Sequence, residues 1–543
     1  MKPALSSIIV NSISVMTLAL AVVALPAMAA GPAQDTATRN FDKTLTLAAD
    51  QTFAMEHKFG EVHIHGESGR EVKISATIRT QATTQAEADH NADQIRIEVT
   101  QDSQGIKVRT VYPDENKWSI RPGKGSSYSV DYDIAVPSDT KIWLRNNFGN
   151  VEIRSVRGWA EVENGHGKLE LRDSGAAKLT NSFGLVEVTG VDGNLTVVNN
   201  NGAVTVSTVK GSVEVKDRFA ATTVSNVQGA VTVSGGNGAV EISDAGTSTV
   251  SNSFGGVNTR NIHGDLTVSN NNGAIDANSV SGSATLNDSF GAIAFTNVNG
   301  HVKCTSSNGK VKGGPVGEDV YVKTSFGEVL LEQVGGSVEV DDSNGGINVK
   351  EVKGHATLNT SFGAIEASNI RKGARATTGN GRISLSDIAG ETYARTSFGA
   401  VNVQRITGTL SLENSNGPVT ANSVSGDVAA RTSFGAATLD EIGGAITVDN
   451  QNGAVVLSAA RQSSTCKNIT VKTSFSPIQV RLPEGAGYNL SARTSFGRIN
   501  SELPVTSTGQ LGGDSLNGKI GSGGCTLSLT NSNGNIDILK LSK

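Results

Sequence analysis

The chain has 543 residues, a formal charge of −5 and a pI near 6.0, so it carries no strongly basic footprint for nucleic acid or an anionic lipid surface. Glycine contributes 63 residues, aromatics 4% and proline 11. That mixture is too poor in large side chains for several compact cores and too rich in Val, Ile and Leu for disorder, which leaves a repetitive β protein.

Residues 1–29 read as a secretory signal peptide: Lys2, an apolar stretch, then Ala27-Met28-Ala29 as a small-x-small cleavage site. The mature chain is then expected to be extracytoplasmic (periplasmic, cell-surface or secreted), with no transmembrane segment, because no later run has the 18 or more apolar residues a span needs. Residues 30–145 form the next region. They contain an isolated repeat copy, "HKFGEVHIHG" (57 to 66), followed by strand-like runs "EVKISATIRT", "QIRIEVTQ", "GIKVRTVYP" and "YSVDYDIAVP" and one polar stretch, "TTQAEADHNADQ", that suits a short helix. This region is expected to cap the first rungs.

From 146 to 472 a glycine recurs every 17 or 18 residues, preceded alternately by Phe and Asn, with Ala220 replacing one glycine. Within "NNNGAVTVSTVKGSVEVK" (199 to 216), Val204 and Val206 alternate with polar residues, as do Val213 and Val215, so each unit is two short period-2 strands with two corners. Asn-Gly between such runs also signals hairpins, and an antiparallel meander competes with a solenoid. The residue four before each marker glycine separates them. It is Lys323 then Asp341, Arg395 then Glu413, Arg431 then Asp449, and Arg145 then Glu163. A coil of 18 residues stacks each cation on a carboxylate about 4.8 Å away, whereas a coil of 36 would stack like charges. The expected fold is therefore all-β, a parallel β-solenoid with about 18 residues per coil.

The same register places Phe326, Phe362, Phe398 and Phe434 in one column with Asn344, Asn380, Asn416 and Asn452. A ring in alternate rungs has roughly 9.6 Å of height, and the intervening Asn can donate to corner carbonyls. The glycine after each Phe or Asn is expected at positive φ. Residues 473–543 are irregular repeats and a terminal cap. Cys304 lies on an inward position, while Cys466 and Cys525 fall in the irregular units, where they could bridge.

No residue pattern assigns a catalytic or cofactor-binding role, and no cofactor is implied. The turns lack the Asp of calcium-binding β-rolls. The column Arg395, Glu413, Arg431 and Asp449 reads as self-neutralising rather than as an acid and base of a glycan-cleaving β-helix. His57, His63 and His65 are candidate metal ligands, with His63 and His65 on one strand face, but a site needs further ligands. Few exposed aromatics are expected, which weakens sugar-binding readings.

The order "FGEVHIHG", a strand-rich insert ending "YSVDYDIAVPSDTKIWLRNNFGNVEI", then repeats of "G.V.V..V.G.V.V..SNG", resembles the bacterial putative-adhesin family of β-strand repeats, DUF4097. The likeness covers nearly the whole mature chain. It implies an extracytoplasmic, non-enzymatic protein contacting an unknown protein or glycan of the cell envelope. The alternatives are a periplasmic envelope-stress or scaffold protein and, third, a carbohydrate-active β-helix enzyme.

Overall fold

A computed structural model describes residues 34–113, 127–460, 466–507 and 513–541. The signal-peptide expectation lies outside these residues. The architecture is a parallel β-solenoid of 18-residue coils, as the charge alternation requires. Arg395 pairs in register with Glu413, Glu413 with Arg431, and Arg431 with Asp449. Lys323 pairs with Asp341, and Arg145 with Glu163. From Lys141–Phe148 to Ile446–Asn450 one sheet gains a strand per coil, giving eighteen rungs and a rod of roughly 85 Å at the interstrand spacing.

One coil shows why these residues fold this way. Thr392, Ala394 and Thr396 point inward from one strand, Ser397-Phe398-Gly399 turns the chain, and Val401, Val403 and Ile406 point inward from the facing strand. A second turn leads to Leu410 and Leu412, which lie directly over Thr392 and Ala394. The period-2 alternation buries one side of each strand between the two sheets, and no coil can bury its own faces without neighbours.

One inward column carries an aromatic ring that is answered in the next coil. Phe295 is buried where the coil before places Ala277, and its register partner in the coil after is Gly313. A Cβ at Gly313 would lie 1.9 Å from the Phe295 ring, so the glycine makes room for the phenyl group.

The two ends share one device. The first coil in the sequence, Thr52–Glu56 with Val62–Glu67, stacks on Lys141–Phe148 and Val151–Arg154, while Gly105–Val111 and Ser127–Pro137 form the level outside it. Antiparallel strands Glu71–Ala82, Asp35–Thr46 and Arg96–Gln101 then close the edges. The expected helix is Gln85–Gln94, capped by Thr84, whose side chain accepts from Glu87 N, and it packs through Ala88 and Ala92 on Ala37 and Ala82. At the other end the last coil in sequence, Cys525–Asn531 with Ile536–Lys540, is wedged between Ile469–Thr473 and Tyr488–Thr494. Cys466 and Cys525 form a disulfide that ties this wedged coil to the preceding rung, while Cys304 is buried and free. Among the described residues no helix is long and apolar enough to cross a membrane.

Candidate binding faces on the two corners

The first corner is held from inside by a polar column. Except at Gly235, the residue three before each marker position from Gly149 to Gly453 is Asn, Asp, Ser or Thr and is buried. Asn414 Nδ2 donates to Gly399 O of the preceding rung at 2.7 Å, and its Oδ1 accepts from Gly417 N at 3.0 Å. Asn450 repeats this with Gly435 O and Gly453 N at 3.0 and 2.7 Å. Each side chain thus satisfies corner groups that the ladder leaves over. Asp217 occupies the same column, and burial pushes its carboxyl up to about 6, against the backbone N–H groups of Arg218, Phe219 and Ala220 that favour its charge.

The corner glycines adopt positive φ only in the early rungs, between Gly149 (φ 130°) and Gly273 (φ 137°), and there not at Gly238. From Gly291 onward they do not, which corrects the sequence expectation there. What excludes a side chain in these later rungs is the rung below: a Cβ at Gly435 would lie 1.8 Å from Gly417 O. The left-handed residues sit instead at the second corner, once in most coils, at Thr208, Asn261, Asp387 and Arg405 among others, with φ between 49° and 59°.

Outside the first corner runs the aromatic column. At its N-terminal end the rings stack face to face: Phe59 on Phe148 at 5.4 Å, then Phe148 on His166 and His166 on Phe183, each at 4.7 Å with planes within 2°. Further along, rings alternate with Asn, and several of these amides fold back on the preceding rung. Asn344 Nδ2 donates to Ser325 O at 2.9 Å, Asn416 to Ser397 O at 3.1 Å and Asn452 to Ser433 O at 3.3 Å. Phe148 and Phe183 are 42% and 47% exposed, but Phe326, Phe362, Phe398 and Phe434 are 61–63% exposed. The expectation of few exposed aromatics is therefore overturned: the rings point out of the corner, where period-2 counting through a turn could not place them.

Beside this column lies the charge ladder. Arg395 Nε is 3.8 Å from Glu413 Oε2, and Arg145 Nε is 3.5 Å from Glu163 Oε2. Lys323 and Arg431 lie in register with Asp341 and Asp449, but among the described residues no ion pair within 4 Å is formed there. Arg395, Ser397, Glu413, Ser415, Arg431 and Asp449 line a shallow groove of about 280 Å³.

The second corner carries the larger feature, a groove of about 1050 Å³ crossing successive rungs. Its floor is the column Val334, Val352, Ile370, Ile388 and Ile406, and the left-handed residues form one wall. Lys353, Arg371, Asp387 and Arg405 give it charge. Arg405 and Asp387 form a two-pronged pair at 2.6 and 2.7 Å, which holds the Asp387 carboxyl below its ordinary range.

The three candidate histidines do not converge. His57 is buried, with Nδ1 3.0 Å from Thr110 Oγ1, and burial lowers its pKa to about 4. His63 and His65 share the outer strand face, but they turn to separate carboxylates: His63 Nδ1 to Glu152 at 3.0 Å, and His65 to Glu67 and Asp133 at 3.4 Å. Among the described residues no group of three or more His, Cys, Asp or Glu could hold a metal ion.

Sequence reasoning missed the inner polar column and the left-handed column. Both were visible as positions: Asn, Asp, Ser or Thr recurs three before the marker glycine, and Asn, Asp or Ser is frequent one before the inward residue of the second corner. Asn and Asp tolerate that conformation better than other non-glycine residues.

The fold and faces together define a class, a parallel β-solenoid with outward linear features on opposite corners. No family model matches the chain, and no curated protein matches it. Among solved structures, one described as a putative cell adhesion protein from Clostridium sporogenes is similar at 10% identity, over 41% of this chain and 99% of that one, with a TM-score of 0.18.

Proposed function

We propose that the chain is a non-enzymatic, extracytoplasmic β-solenoid that presents an extended surface for contact with a protein or glycan of the cell envelope. The groove along the second corner carries this reading: at about 1050 Å³ it runs over successive rungs rather than closing into a pocket, the shape that suits a linear ligand lying along the rod. Its apolar floor and paired charges offer contact and orientation. The Cys466–Cys525 disulfide supports an oxidising compartment, as does the leader-like N-terminus. The sequence resemblance to adhesin repeats supports a contact role.

Protease shaving of intact cells tests the location. Cleavage of the rod at the surface is expected. Full protection until the envelope is permeabilised would replace this reading with a periplasmic scaffold, and turnover of a purified envelope polysaccharide would replace it with an enzyme.

A further inference from the structure

The aromatic column has an internal precedent for what fills it. At rung 166 the chain places its own ring, His166, in the slot between Phe148 and Phe183, and the three planes stack at 4.7 Å. In the rungs from Phe290 to Phe434 the same slots hold Asn, and the amides of Asn308, Asn344 and Asn416 are folded back on the rung before. Rings on either side of such a slot stand about 9.6 Å apart, so one more ring between them would sit about 4.8 Å from each, within the range of stacked aromatic pairs.

We infer that a second copy of this chain supplies those rings, by packing its own Phe column antiparallel against the first. A closed two-fold pair admits only this orientation. With the axis along the rods, each Phe would meet its own copy at the same height and collide. With the axis across the rods, passing midway between a Phe rung and the adjacent Asn rung, every ring of one copy falls level with an Asn of the other.

The charges obey the same offset. Arg395 and Arg431 lie in the Phe398 and Phe434 rungs, whereas Glu413 and Asp449 lie in the Asn416 and Asn452 rungs. A shift of one rung, together with an axis that keeps this column on the same flank in both copies, sets each arginine level with a carboxylate of the partner. The area is adequate. Five rings per copy, each more than half exposed, give roughly 1,000 Å² together, and the flanking Ser and charged columns bring the total into the 1,200–2,000 Å² of stable interfaces. The groove on the opposite corner stays open in both copies.

Sedimentation of the mature chain across micromolar concentrations tests this. A monomer–dimer equilibrium is expected, and Phe362→Ser with Phe398→Ser should raise the dissociation constant at least tenfold. The decisive variant fills the slots from within: Asn344→Phe, Asn380→Phe and Asn416→Phe together should leave the fold intact, as the His166 stack shows, and yield a monomer. Stronger association of this variant would mean generic adhesion of apolar surface and overturn the inference. A wild-type chain that stays monomeric at all concentrations, whether or not it binds a β-linked glycan, would overturn it too.

Discussion

Single side chains decide how each corner closes, and Asp217 is the informative exception. Asn199 in the rung before it and Asn252 two rungs beyond carry an amide that donates to glycine carbonyls. A carboxylate cannot donate, and burial raises its pKa to about 6. The sign follows: with the folded value above the ordinary 3.8, Asp217 favours the fold below pH 3.8 and loses that contribution as pH rises through 6. Asp217→Asn is therefore expected to stabilise the protein by about 1–2 kcal/mol at pH 7, with the gain vanishing near pH 4. Urea unfolding at the two pH values measures it. By contrast, the exposed pair Arg395 and Glu413, 3.8 Å apart, is worth below about 1 kcal/mol. The charge ladder identifies the register far better than it holds the rod together.

Strands and turns were unequally legible. The period-2 pairs such as Val204/Val206 and Val213/Val215 could be read directly, because alternation of burial is a property of the strand itself. The helix Gln85–Gln94 was legible from its polar run and Thr84 cap. Turn geometry was not: the same SFG tripeptide has a positive-φ glycine at Gly184 but not at Gly399, so the tripeptide alone does not fix the conformation. Nor could the outward direction of Phe398 be read, since a turn interrupts the alternation. Neighbouring coils also constrain one another, as Phe295 and Gly313 show. Gly313→Val should cost about 1–3 kcal/mol by overpacking against the ring. Adding Phe295→Val should recover most of it, because the pair then matches the Val-on-Val stacking of Val188 and Val206. Thermal melts of the two single variants and the double variant close this cycle.

The whole molecule is a one-dimensional stack whose ends need most protection. Each terminus solves this by bringing the chain back, so that the first and last coils in sequence lie one level inside the rod. The wedged coil at Cys525–Asn531 is locked by a disulfide closing a separation of 59 residues, which stabilises by about 4 kcal/mol in the chain-entropy account. Reduction should therefore loosen the C-terminal end first: hydrogen exchange is expected to rise in Ile469–Thr473 and Tyr488–Thr494 while Val401–Thr407 stays protected. Uniform loss of protection would mean that the rod opens as one unit.

All of these statements rest on one register. Glu339 and Thr447 face outward in the same column, joined through Thr357, Arg375, Tyr393, Ser411 and Ala429. Spin labels at Glu339→Cys and Thr447→Cys would be the reactive thiols, with Cys304 buried and Cys466 and Cys525 paired. Six 18-residue rungs separate the two positions, so pulsed electron resonance should give a distance of about 29 Å. A distance near half that, about 14 Å, would mean a 36-residue coil and would contradict the rod, its corners and the faces derived from them.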